Sequence, residues 1–274
     1  MAWPEWVDPL SQRMARGAGG HGPLMLMYHA VMPGAGTPSW PWAVSAGRFE
    51  AQLDYLVREG WRTLTMADLA DNDAHPPLRS VVITFDDGYA NNLVAVNMLA
   101  QRGMRASWFI VSGSVGQQPN WPADGRPDGR LLSTQDLRDM RAAGMEIGSH
   151  TRSHRALTET ALAELDGELR GARQDLEDML SAPVLSFAYP YGKFDVTCVE
   201  AVRAAGYRAA CTTRSGWALR DRDPLRMRRV SVFNHDNLAA FARKLAFADN
   251  DVSWPRLGGY ALDRVKARLG IGGT

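Results

Sequence analysis

Four glycines set the rhythm of this 274-residue chain and constrain its fold more than any other feature. Each ends a stretch of helical spacing and is followed at once by an apolar residue: Gly60-Trp61, Gly103-Met104, Gly144-Met145 and Gly206-Tyr207. Glycine just past a helix takes the left-handed conformation that stops it at little cost. The apolar residue after it then opens a strand. Further strands are expected at 24–28, 81–85, 107–111, 146–148, 184–188 and 229–233, from short apolar runs between turn residues. The chain thus alternates helix and strand through about seven or eight units. That predicts an α/β fold, a distorted and incompletely closed parallel barrel in a single domain. An open doubly wound sheet is the alternative.

At 45% hydrophobic residues the chain can bury a core of that size. A formal net charge of +1 gives no basis for a nucleic-acid partner. Cys198 and Cys211 have neither metal spacing nor a disulfide framework, although one bridge between them stays open. No apolar run approaches the roughly 20 residues that cross a bilayer. Residues 1–22 are expected as a flexible arm, 23–250 as the barrel, and 251–274 as a tail whose Leu262, Val265 and Leu269 mark a weak amphipathic helix packing on the barrel. The first 22 residues lack a basic segment followed by an apolar core, so the cytoplasm is the default expectation, with export after removal of a signal as the alternative. Oligomeric state is left open.

Charge concentrates at the end of one buried strand. Val81-Val82-Ile83 runs through Thr84-Phe85 into Asp86-Asp87-Gly88. In α/β folds the C-terminal ends of the strands carry the ligand sites. A solvated Asp-Gly turn is the plain alternative. Adjacent strand residues face opposite ways, so both carboxylates reach one site only if the strand has ended there, a bend that Gly88 permits. A second strand end carries His150-Thr151-Arg152-Ser153-His154. One helical turn between the histidines would put both imidazoles on one side. No glutamate follows the first, which removes the His-Glu-x-x-His protease pattern. Two histidines with one carboxylate from the first segment would make three protein ligands with an open position, the requirement of a catalytic zinc-like site. The third strand end is Tyr189-Pro190-Tyr191-Gly192, where proline stops the strand and a bare amide could face a developing oxyanion.

Together, in this order, these segments resemble the polysaccharide deacetylases of carbohydrate esterase family 4, over about residues 24 to 245. The resemblance implies a distorted (β/α)7 barrel. It also implies a hydrolase of carbon–nitrogen bonds other than peptide bonds, which removes N-acetyl groups from N-acetylhexosamine units of a glycan. Carried over by position, Asp86 is the general base, Asp87, His150 and His154 are the metal ligands, and Tyr191, presented by Pro190, offers the oxyanion amide. The cofactor implied is a divalent cation, zinc first, with cobalt, nickel or iron(II) as alternatives.

Two departures matter. The family's usual acid histidine lies near the C-terminus, whereas here about 80 residues precede the aspartates and include Met27-Tyr28-His29 at a strand end. This arrangement is similar to the circularly permuted subgroup that contains poly-N-acetylglucosamine deacetylases, and it makes His29 the candidate acid. His235, before the entry to a late helix, is the rival. Ala188 stands where many members carry an arginine that holds the catalytic aspartate, and Arg229 is the candidate replacement. Trp40, Trp42 and Trp121, in expected loops, are candidate sugar platforms, while Trp61 and Trp108 read as core. Two other functions fit the same residues: hydrolysis of a small amide or cyclic imide, and a non-catalytic carbohydrate-binding barrel.

Overall fold

The computed structural model describes residues 6–18, 22–34, 36–70, 76–122 and 125–259. Its strands are β1 (Leu24–Tyr28), β2 (Ala30–Met32), β3 (Ala43–Ser45), β4 (Arg62–Leu64), β5 (Ser80–Phe85), β6 (Ser107–Ile110), β7 (Glu146–Ser149), β8 (Ser186–Ala188), β9 (Ala209–Cys211) and β10 (Val230–Ser231). Between and around them lie α1 (Pro9–Arg16), α2 (Ala46–Arg58), α3 (Met66–Ala70), α4 (Leu93–Gln101), α5 (Thr134–Ala142), α6 (Leu162–Asp166), α7 (Ala172–Leu180), α8 (Val196–Ala204) and α9 (Leu238–Phe247). All four punctuating glycines have positive φ, from 63° to 87°. The alternation they imply is the one the chain adopts.

Eight parallel strands form one curled sheet in the order β10-β1-β5-β6-β7-β8-β9, with β4 also on β5. One edge of β5 runs along all of β1, while β4 pairs with Ser80 to Val82 and β6 with Thr84 and Phe85. Two strands thus share a single edge, and the curl is irregular. Its ends approach through an isolated bridge from Cys211 to Met227, just ahead of β10. The result is the distorted, single-domain (β/α)7-type barrel expected. β1 and β5 are buried at every residue, as strands covered on both faces must be. Alternate residues divide the core. Leu24, Leu26, Val81, Ile83 and Phe85 pack under the helices, and Met25, Val82, Phe109, Ala188 and Cys211 fill the interior.

Several local readings are revised. Within the stretch expected as a flexible arm, Pro9–Arg16 form α1, capped by Asp8 and packed on α9 with Ser11 and Ala15 buried. The inward face of α2 carries Phe49, Leu53 and Leu56 with Tyr55 and Gln52, the last accepting from the Tyr28 hydroxyl at 2.9 Å, while Val57 is exposed. After β7 the chain makes a short turn at Leu157–Glu159, and the helical run of 162–180 that follows contains a π turn at Gly167–Gly171. Cys198 and Cys211 are free and buried. Leu262, Val265 and Leu269 lie outside the described residues. Among the described residues, no helix is long and apolar enough to cross a membrane.

Candidate active site

Side chains alternate across a strand, so the interior line of each strand continues into whatever follows its C-terminal end. On β1 that line is Met25, Met27 and then His29; on β5 it is Val82, Thr84 and then Asp86; on β7 it reaches His150. Tyr28 is in register with Phe85, and the Asp86 amide donates to the Tyr28 carbonyl at 3.0 Å. His29 and Asp86 therefore emerge side by side at the mouth of the curl.

Asp87 has the opposite parity and on a straight strand would face the helices. The strand has ended at Phe85, and Asp87 at φ 72° and Gly88 at φ 86° turn the chain so that both carboxylates line one cavity. A side chain at Gly88 would be strained by that φ and would meet Ile110 Cδ1 at 3.1 Å.

The two motif histidines converge, but not through the helical turn expected. The His150 amide continues the ladder by donating to Ile110 O at 2.8 Å, and the chain then bends, with Thr151 at φ 66° and His154 at φ 60°. Thr151 Oγ1 accepts the His154 amide at 2.9 Å. The rings end 4.9 Å apart between centroids. After β8, Pro190 is buried, and Tyr191 at φ 58° sends its half-exposed ring to His154, its hydroxyl 3.1 Å from Nδ1. Four of the eight non-glycine residues with positive φ among the described residues are Asp87, Thr151, His154 and Tyr191. Each such residue carries about 1–3 kcal/mol of strain, and strain of this kind gathers at functional sites.

Arg229 is fully buried and grips Asp86 with both nitrogens, Nη1 to Oδ1 at 2.6 Å and Nη2 to Oδ2 at 2.7 Å. Its Nε donates to Thr212 O at 3.0 Å. The methyl of Ala188 cannot make this contact, and the arginine comes instead from the residue before β10. Burial works against the ionised Asp86, but the surrounding positive groups, Arg229 first among them, together lower its pKa.

His29 lines the same cavity, with its ring 5.0 Å from Trp42 and 5.8 Å from Trp40. Its Nδ1 is buried without a hydrogen-bond partner. Asn92, which no sequence motif marks, fixes the backbone on both sides: Nδ2 donates to His29 O at 2.7 Å, and Oδ1 accepts from Val31 N at 2.9 Å. His235 is exposed, stacked on Phe233 and outside this cavity. The cavity holds about 400 Å³ and also takes Trp40, Trp42, Trp121 and Thr213 into its wall. Trp121 stacks on His154 at 4.6 Å, whereas Trp61 and Trp108 are buried in the main core.

Asp87, His150 and His154 present their ligand atoms within 4.8 Å of one another, all three buried. Burial lowers His150 to about 4, partly offset by Asp86, so its imidazole is neutral near pH 7. Nδ1 of His150 lies 2.8 Å from Ala188 O, a pure acceptor, and therefore carries the ring proton. The bare Nε2 then points at Asp87 Oδ1, 3.5 Å away, with His154 Nε2 at 3.1 Å from the same oxygen. That oxygen is buried and makes no hydrogen bond. Acceptors turned on one another in a dry pocket are unfavourable unless a cation sits between them. The donor set fits a divalent metal.

Residues 73–210 match the model of the family described as polysaccharide deacetylase, a span that contains the three motifs but neither His29 nor Arg229. Among solved structures the chain is similar to IcaB from Ammonifex degensii, at 28% identity and TM-score 0.67 over 82% of this chain and 97% of that one. It is similar also to a polysaccharide deacetylase from Bacillus cereus, at 27% identity and TM-score 0.67 over 81% and 68%. The Streptococcus pyogenes deacetylase PplD, solved with acetate, shares the fold with TM-score 0.71 at 21% identity over 81% and 97%. A deacetylase's motifs at the strand ends, a matching family span and these shared folds lead to one conclusion: the chain belongs to the polysaccharide deacetylase family, as a hydrolase of the deacetylase type.

Proposed function

We propose that the protein is a metal-dependent hydrolase that removes N-acetyl groups from N-acetylhexosamine units of a polysaccharide or glycan precursor. The observation that carries this is the buried Asp87 Oδ1, without a hydrogen bond and facing two imidazoles, in the cavity that also holds Asp86 and His29. Asp87, His150 and His154 would hold the cation. With one carboxylate oxygen and two imidazole nitrogens, zinc is the first expectation, and cobalt, nickel or iron(II) also suit. When bound, such an ion supplies Lewis acidity towards a carbonyl and a lowered pKa for water.

The chain's own residues divide the remaining work. Asp86, kept ionised and oriented by Arg229, takes the proton from the attacking water. The Tyr191 amide donates to the oxyanion formed from the acetyl carbonyl, an interaction typically worth about 3 kcal/mol. An amide nitrogen leaves poorly as an anion, so it needs a proton. Burial lowers the pKa of His29, which makes its charged form a ready donor to the departing amine. Acetate and a free amino sugar result. Of the three tryptophans on the cavity wall, Trp40 and Trp121 are buried and Trp42 is partly exposed, so Trp42 is the ring suited to the apolar face of a pyranose.

The test is acetate release from N-acetylglucosamine oligomers, lost on chelation and restored by Zn²⁺ or Co²⁺. Glycan binding with no turnover under any metal loading would sink this reading.

A further inference from the structure

The loop that joins the two metal-site histidines closes on itself through one bond, from the His154 amide to Thr151 Oγ1, and takes the rest of its support from outside. Thr151 and His154 both have positive φ, so the bend persists only if its surroundings hold it. The support comes from an acid on the helix behind it. Glu168 is 8% exposed, and its Oε2 accepts the amides of both Arg152 and Ser153, at 3.1 and 3.0 Å. Its Oε1 accepts the Ser153 hydroxyl at 2.5 Å. Two successive backbone N–H groups converging on one anionic oxygen form a strong, directional clamp. The carboxylate reaches the loop from the π turn Gly167–Gly171, an interruption of the kind found mostly at functional sites. Two turns further along, Asp175 takes the Arg152 side chain at 3.0 Å and the Ser112 hydroxyl at 3.0 Å. From the other side, the Gly113 amide donates to Arg152 O at 2.9 Å, and any Cβ there would lie 2.5 Å from that oxygen.

We propose that Glu168 is the positioning residue of the metal centre: by clamping Arg152 and Ser153 it sets the separation and aim of His150 and His154. The inference rests on the metal reading above. Glu168 contacts neither histidine side chain in these bonds and acts only through the loop between them. A helix that reads as barrel wall thereby becomes part of the site.

The experiment uses the full chain stripped of metal. Zinc affinity is measured by competition with a chromogenic chelator, and the visible spectrum of the Co²⁺-loaded protein reports ligand geometry. Glu168→Ala is expected to weaken zinc roughly 10–100-fold, the usual scale for residues that orient metal ligands, and to shift the cobalt bands. Glu168→Gln should restore most of the affinity, since its amide oxygen can accept both N–H groups while its NH₂ donates to Ser153 Oγ. Glu168→Asp withdraws the carboxylate by one methylene without removing its charge, and should fall between, so it decides the matter if the alanine variant does not fold. Glu59→Ala, which loses the bonds from Gln12 and Arg16 on the far side of the barrel, should reduce stability and leave zinc affinity unchanged. Unaltered zinc affinity and cobalt spectrum in both Glu168→Ala and Glu168→Asp would remove Glu168 from this role while leaving the metal site standing. A wild-type chain that binds neither metal would overturn both readings.

Discussion

Two acids in this fold are buried against a base, and each has a histidine nearby. Asp86 is held by Arg229 through two parallel bonds, and His29 lines the same cavity. Asp236 is held by Lys244 at 2.5 Å, beside the exposed His235. The second pair is closed on every side: Asp236 also takes the Phe233 amide at 2.7 Å, and Lys244 donates to Ser231 O at 2.7 Å and sits over the Phe233 ring at 4.6 Å. Neither of its members lines the cavity of about 400 Å³. A buried pair is weak evidence for stability, because desolvation offsets most of the attraction. What separates the two is the open side. Asp86 keeps a face on a cavity where a substrate can arrive, and Asp236 keeps none, so the first pair points to chemistry and the second to holding the last turn before α9.

The largest expected effects test the open side. Asp86→Asn should abolish turnover while zinc still binds, because Asp87, His150 and His154 are untouched. His154→Ala should lose both, with zinc retention measured on the purified variants. Turnover surviving in Asp86→Asn would reduce the Asp86 pair to the same standing as the Asp236 pair. The next largest effect falls on the histidines. His29→Ala should slow acetate release by roughly 10²–10⁴-fold, the range of general acid catalysis, while His235→Ala stays close to wild type. The reverse outcome would move the acid to the other region and undo the comparison.

The reach of the sequence ends where contacts become long-range. Alternation, glycine stops and the three strand ends are local patterns, and each recurs in the fold. Asp87 was legible as a site residue because Gly88 signals the bend that turns it inward. Both His29 and His235 follow a strand, and it is the resemblance to the permuted subgroup that favours His29; the pairing of β1 between β10 and β5 is what brings it beside Asp86. Arg229 was singled out because Ala188 left a gap, yet its two bonds span 143 residues and no local spacing encodes them. Glu168 and Asn92 gave no signal at all. Glu168 and its neighbour Asp166, both between Leu165 and Leu169, read alike as a solvated face, and the π turn that carries Glu168 leaves no mark in the leucine spacing.

A smaller effect tests the closed side. Lys244→Met leaves the Asp236 carboxylate buried and unpaired and should cost about 3–5 kcal/mol of stability by urea unfolding. The kcat of the folded fraction should stay at its wild-type value. Arg229→Met should carry a similar stability cost and also lose turnover. If Lys244→Met slows catalysis in folded protein as Arg229→Met does, the two pairs belong to one site and the distinction fails.

The smallest effect is a pH dependence confined to the cavity. In the metal-free protein, burial lowers His150 from an ordinary 6.5 to about 4, and burial lowers His29 as well. A folded-state pKa below the unfolded one means that the unfolded chain takes up the proton first as pH falls. Stability from these imidazoles is therefore fully present above about pH 6.5 and drains away towards pH 4, with His150 contributing at most on the order of 3 kcal/mol. Asp86 and Asp87 are lowered too, but from 3.8, so their contribution is lost in a separate, more acidic window. Urea midpoints of chelator-treated protein should fall across the first window, and His150→Gln should flatten that fall. A slope of equal size in His150→Gln would mean that this imidazole is not held neutral in the dry pocket. A protonated His150 Nε2 would then face Asp87 Oδ1 as a donor, with no cation needed between them.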